Sequence, residues 1–256
     1  MSIRTPIHYW AAARPYGRIF LLSHMRAYTS LFAHILGSHP EIDGYYELHI
    51  GYYSWRSLLR QKLVYFVRDN HNPKRGARFL FDKVLHNDHR LSDTILTRKG
   101  FSFILALRPP HETIPSINEL YARVDPQNPL ATELGAFCYY LDRLETLCDI
   151  SQSLSGRYLY LDAECLRSRT AETLPLLADH IGVKQPLSEE YEVKPLTGLA
   201  KRGDSSSNIH TGHISRKATL HSPVTDAARL AEAREAYQAA REMLIQNSRQ
   251  HLVMPD

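Results

Sequence analysis

Two apolar patterns take turns along the chain. Continuous apolar runs at 19–22 and 101–107 have the character of strands buried on both faces, and 78–83 and 157–161 read as two shorter strands of the same kind. The 78–83 strand delivers Asp82 and Lys83 at its end, and 101–107 stops abruptly at Arg108-Pro109-Pro110. Between these runs the apolar residues fall at helical spacing. Residues 52–67 carry Trp55, Leu58, Leu59, Leu63, Phe66 and Val67, with Trp55 expected in the core, and 129–149 carry Leu134, Phe137, Cys138, Leu141, Leu144 and Leu147. A helix over 171–181 is closed by Gly182, and a last one over 223–246 presents Leu230, Ala233, Tyr237, Ala240 and Leu244. Shorter helices are expected after Leu22, ending at 37–40, and over 91–98. One more begins at Pro109-Pro110, with Pro115 as a kink or an early end.

Strands alternating with helices predict an α/β fold, a mainly parallel central sheet flanked by helices in three layers. In such sheets ligands gather at the carboxyl ends of strands, where the turn after Leu22, Lys83 and Arg108 all fall. The 256 residues read as one domain: a core over 17–182, a long loop or lid over 183–222, and a C-terminal helix over 223–250. Residues 68–75 form a polar loop, and 185–222 have little apolar periodicity, so that a segment this long is either functional or disordered.

Composition narrows the function. With 43% hydrophobic and 23% charged residues the chain is an ordinary soluble globular protein rather than a disordered one. A formal charge of +4, spread along the chain, favours small anionic ligands over a nucleic-acid groove. Cys138, Cys148 and Cys165 have neither disulfide nor zinc spacing, and the one tight histidine pair, His86 and His89, reads as a polar turn. No apolar run is long enough to span a bilayer and residues 1–17 lack a signal core, so a cytoplasmic protein without a membrane span or metal is expected.

The chemistry gathers in residues 18–49. A strand there feeds a polar turn with one cation and two hydroxyls, Arg26, Thr29 and Ser30, and then an amphipathic helix. That arrangement aims backbone N–H groups and the positive end of a helix dipole at one point, which suits phosphate or sulfate. The G-x-x-x-x-G-K-[ST] pattern of nucleotide P-loops is absent, which disfavours an ordinary ATPase or kinase.

The segment Met25-Arg26-Ala27-Tyr28-Thr29-Ser30 resembles the 5′-phosphosulfate loop of sulfotransferases, whose signature is close to P-R-S-G-[ST]-[ST]. Arg26, Thr29 and Ser30 match it; Met25 replaces the proline, Ala27 a serine and Tyr28 the glycine. Arg108, followed eight positions later by Ser116, is similar to the family's 3′-phosphate motif. His39-Pro40 followed by Glu47-Leu48-His49, and Asp82-Lys83 at a strand end, resemble the heparan sulfate O-sulfotransferases. Lys201-Arg202-Gly203 is similar to the late basic-glycine motif of cytosolic members, while Tyr158, Asp162 and Glu164 match only as fold markers.

The resemblance implies a P-loop-type fold that binds 3′-phosphoadenosine 5′-phosphosulfate without metal and releases adenosine 3′,5′-bisphosphate. It assigns Arg26, Ala27, Tyr28, Thr29, Ser30, Arg108, Ser116, Lys201, Arg202 and Gly203 to that donor. Glu47 becomes the base, helped by Arg26, Lys83 and His49, and the acceptor a hydroxyl of a carbohydrate or other small molecule. Tyr45, Tyr46, Tyr52 and Tyr53 stand as stacking platforms for that acceptor or as core. The rival readings are a kinase with a divergent loop and a non-catalytic nucleotide-binding module.

Overall fold

In the computed structural model the described residues are 6–194, 207–216 and 221–255. The strands are β1 (Gly17–Ser23), β2 (Ile42–Asp43), β3 (Phe79–Val84), β4 (Phe101–Leu107), β5 (Tyr158–Asp162) and β6 (Gln250–Leu252). The helices are α1 (Pro6–Ala13), α2 (Thr29–Ser38), α3 (Trp55–Lys62), α4 (Asp93–Leu96), α5 (Pro110–Val124), α6 (Glu133–Ser153), α7 (Cys165–Ser168), α8 (Thr170–Ile181) and α9 (Ala227–Asn247).

All six strands join one sheet in the order β2-β3-β1-β4-β5-β6, and every pairing is parallel. The central strands obey a period of two, because successive side chains leave opposite faces of a sheet. Phe20, Leu22, Phe103, Leu105, Tyr158 and Tyr160 enter one core with α5, α6 and α9. Ile19, Leu21, Ile104, Ala106, Leu159 and Leu161 enter the other, against Phe32 and Leu36 of α2 and Leu174, Leu177 and Ile181 of α8. The result is the expected three-layer, P-loop-type α/β architecture.

Several elements depart from the sequence expectation. Trp55 is 60% exposed rather than core, and Leu59 and Leu63 face outward too. Trp55, Leu59 and Leu63 follow one another at four-residue spacing and share the outward face of α3, whose buried residues are Leu58 and Gln61; beyond α3, which Ser54 caps, the helix widens into a π-helical turn over Leu63–Arg68. That extra residue per turn rotates Val64, Tyr65, Phe66 and Val67 inward together. The helix over 91–98 shrinks to the single turn of α4, and 129–149 divides into a 3-10 turn (Pro129–Ala131) and α6, whose N-cap is Thr132. Within α6, Leu134 and Cys138 lie outside the stripe, whose place is taken by Ala136, Tyr140 and Arg143. Pro115 does not end α5, which runs on to Val124. In the long loop, a 3-10 turn (Ser207–Thr211) packs Ile209 beside Ile214 and Tyr191 in the second core.

Candidate functional site

The site begins where β1 stops. Ser23 Oγ donates to Ala106 O of β4 at 2.6 Å, and His24 is fully buried between the two strand ends. The Arg108 N–H donates to His24 Nε2 at 3.0 Å, which fixes the other ring nitrogen as the N–H that meets Met25 O at 2.8 Å. Burial pushes His24 down to about 3, so the ring is a neutral spacer that sets the distance between β1 and β4.

Two left-handed residues shape the turn that follows, Arg26 with φ 65° and Tyr28 with φ 52°. Each such non-glycine conformation costs roughly 1 kcal/mol, so the surroundings must hold it. Tyr28 is also the N-cap of α2 yet makes no side-chain cap, and the first turn of α2 has no acidic residue. The amide groups at this helix end therefore have no side-chain partner at the cap, which leaves them suited to an external anion.

Cationic groups converge on the turn from both sides. Arg26 Nε donates to Ser116 Oγ of α5 at 2.8 Å, and Arg108 Nη1 donates to Arg26 O at 3.0 Å. Arg26, Arg108 and Ser116 thus form one connected group. Lys83 Nζ reaches Ser30 Oγ at 3.3 Å from the end of β3 and is buried apart from 5%. Thr29 is buried as well.

Arg108 does not stand alone. Its Nη2 pairs with Glu112, and its Nε lies 3.3 Å from Glu164 Oε1, although neither of those two atoms makes a hydrogen bond among the described residues. Burial pushes Glu164 up to about 7, against the lowering effect of Arg108. Tyr28, Arg108, Glu112, Glu164, Arg167, Ser168 and Arg216 line a cleft of about 310 Å³.

Glu47 lies on the segment that is fastened to the end of β3. Gly44 leads the chain there with φ 93°, crossing so close to β3 that a Cβ would meet Phe81 O at 2.3 Å. Leu48 N then donates to Asp82 Oδ1 at 3.1 Å, and the Tyr52 hydroxyl donates to Asp82 Oδ2. Asp82 is a buried clamp for this segment, and burial pushes it up to about 8 in spite of those hydrogen bonds. Glu47 is 7% exposed; its Oε1 accepts no hydrogen bond among the described residues and lies 3.7 Å from His49 Nδ1. The His49 ring is 5.7 Å from that of His89 and 6.4 Å from that of His86. Among the described residues no group of three or more His, Cys, Asp or Glu side chains is arranged for a metal ion.

The structure therefore gathers Arg26, Ala27, Tyr28, Thr29, Ser30, Lys83, Arg108 and Ser116 around one turn, with Glu47 and His49 attached through Asp82. Lys201, Arg202 and Gly203 lie outside the described residues. His39 sits at the far end of α2, bonded to Gln185 O at 3.1 Å, and serves the fold. Tyr45, Tyr46 and Tyr52 are core residues, and only Tyr53 of these tyrosines is exposed. Asp162 is taken up by Arg241 of α9 at 2.9 Å. Sequence reasoning missed His24, Glu112, Arg143 and Arg167, and placed Glu164 only as a fold marker. The one available signal was that Glu164 follows the strand beside β4.

The chain matches no protein-family model and has no significant match among curated proteins. Among solved structures it is similar to the sulfotransferase domain of the Synechococcus PCC 7002 olefin synthase, at 19% identity and a TM-score of 0.56, over 88% of this chain and 96% of that one. A sulfotransferase domain from the curacin biosynthetic pathway matches at 15% identity and a TM-score of 0.52, over 88% and 98% of the two chains. No helix among the described residues is long and apolar enough to cross a membrane. The chain has the fold of sulfotransferase domains.

Proposed function

We propose that this protein transfers a sulfuryl group from 3′-phosphoadenosine 5′-phosphosulfate to the hydroxyl of a carbohydrate or other small-molecule acceptor. The observation that carries the reading is the connected group Ser116–Arg26–Arg108 beside the side-chain-uncapped start of α2, with the buried carboxylate of Glu47 on the segment fastened to β3. The residues present fit the donor: a guanidinium 4% exposed that already sits among anionic oxygens, and a helix start with no carboxylate in its first turn. The donor supplies the sulfuryl group and departs as the bisphosphate.

The chain's own residues carry the rest. An alcohol attacks poorly until its proton is taken, and Glu47 Oε1 is a buried acceptor with no hydrogen bond among the described residues to satisfy it. His49 stands near enough to orient that carboxylate. Arg26, Lys83 and the hydroxyls of Thr29 and Ser30 face the place where negative charge develops, and a prepositioned cation stabilises such charge without reorganising. Arg108 and Ser116 take the 3′-phosphate. The two solved structures described above are named for biosynthetic systems, which is compatible with a small alcohol as acceptor.

The test is calorimetric titration with adenosine 3′,5′-bisphosphate and with ATP, each with and without Mg²⁺. Metal-independent binding of the bisphosphate and no comparable binding of ATP is the expected result. Mg²⁺-dependent binding and turnover of ATP would overturn the reading in favour of a kinase.

A further inference from the structure

The sequence leaves Tyr28 unexplained, a bulky residue where the related loops have glycine, and the structure gives it an occupation. Its ring lies beneath two guanidinium groups, with Arg108 Cζ 4.5 Å and Arg167 Cζ 4.9 Å from the ring centroid. Arg167 comes from α7, far along the chain, and its Nη1 donates to the Tyr28 hydroxyl at 2.8 Å while its Nε donates to Ser215 O at 2.8 Å. Both arginines line the same cleft. We propose that Arg167, held by the Tyr28 hydroxyl, is a second guanidinium for the 3′-phosphate of the donor nucleotide, and that Tyr28 is its positioning residue. This rests on the sulfotransferase reading of the site.

Charge and geometry support it together. Arg108 is already engaged by Glu112 and Glu164, so an entering phosphate must compete with two carboxylates for one fork. A second guanidinium in the same cleft tips that competition, because a phosphate offers three acceptor oxygens and guanidinium groups bind them as forks. Glycine at position 28 would remove the strain of φ 52° but also the ring and hydroxyl that hold Arg167. A non-glycine residue persists in such a conformation where its contacts over-determine it, and the two arginines provide those contacts.

The test compares calorimetric affinities for adenosine 3′,5′-bisphosphate and adenosine 5′-phosphate, which differ only in the group concerned. Arg167→Ala is expected to weaken the bisphosphate by about tenfold or more, with the monophosphate changed by less than about twofold. Arg167→Lys, which keeps a charge but loses the fork, should fall between. Tyr28→Phe keeps the ring and should weaken the bisphosphate by a few fold, with no added loss in the double variant, as expected of residues acting as one unit. Equal losses on both nucleotides, or an unchanged bisphosphate affinity in Arg167→Ala, would overturn the proposal. If Arg108→Ala abolishes the preference for the bisphosphate and Arg167→Ala leaves it intact, only the role of Arg167 falls. If the unaltered protein shows no preference at all, the sulfotransferase reading falls with it.

Discussion

Arg143 offers the sharpest test of how the site is held. It is 1% exposed in the middle of α6, and burial lowers its pKa from the usual arginine range. Its Nε donates to Ser23 O at 2.8 Å, its Nη2 to Val84 O at 2.6 Å and its Nη1 to Asn87 Oδ1 at 2.9 Å. One cation therefore ties the end of β1 to the end of β3, just beneath the anion turn and Lys83. Arg143→Met keeps most of the volume and removes all three donors. At about 1.5 kcal/mol for each charge-assisted bond the loss is about 4.5 kcal/mol. Relief from burying a cation returns about a third of that, leaving about 3 kcal/mol. For a chain of this size the melting temperature should fall by about 6–12 °C. Urea unfolding followed by circular dichroism measures the free energy, and turnover is compared at a temperature where the variant stays folded. A change below about 1 kcal/mol with normal turnover would refute the view that this guanidinium organises the rim.

Other outcomes follow from the same geometry. Glu47→Gln should lower turnover by about 10²–10⁴-fold with donor affinity nearly unchanged, read from single-turnover kinetics and calorimetry; undiminished turnover removes Glu47 as the base. Arg108→Ala should weaken adenosine 3′,5′-bisphosphate by at least about tenfold and adenosine 5′-phosphate far less, and equal losses would contradict the 3′-phosphate assignment. Glu164, raised to about 7, loses its proton as pH climbs through that value and then repels an entering phosphate while holding Arg108. Bisphosphate affinity should therefore be higher at pH 6.5 than at pH 8, and Glu164→Gln should flatten the difference. The phosphate itself titrates near pH 6 in the opposite sense, so the variant is the control that isolates Glu164.

The parts of the fold that announced themselves were those whose signal is local. Phe101–Leu107 is an apolar run interrupted only by Ser102, between Gly100 and Arg108, and the strand has those bounds. Gly182 closes α8 with φ 79°, as a left-handed cap requires. The short edge strands β2 and β6 hold two and three residues and exist because a neighbour pairs with them, which no local pattern records. Trp55 was misplaced for a different reason: apolar character does not say which face of α3 turns inward, and the face carrying Trp55, Leu59 and Leu63 is the outward one, while Leu58 and Gln61 are buried. In the site, Arg108 and Ser116 were singled out by their spacing, and the structure brings both against Arg26. Arg167 and Glu164 were not, since they reach Tyr28 and Arg108 only through tertiary packing of segments far apart in sequence.

The strand order carries a last consequence, for how such a protein can change. β1 stands at the reversal point, with β3 on one side and β4 on the other. Glu47, His49 and Lys83 belong to the segment that builds the β2–β3 side; Arg108, Ser116, Glu164 and Arg167 belong to the β4–β5 side. Only the turn at Arg26–Ser30 serves both. A crossover placed between β3 and β4 would carry that turn away with Glu47, His49 and Lys83, so Arg108 and Arg167 would meet an exchanged partner at positions 26 and 28, and the two stretches of gene can change independently only while the turn is kept.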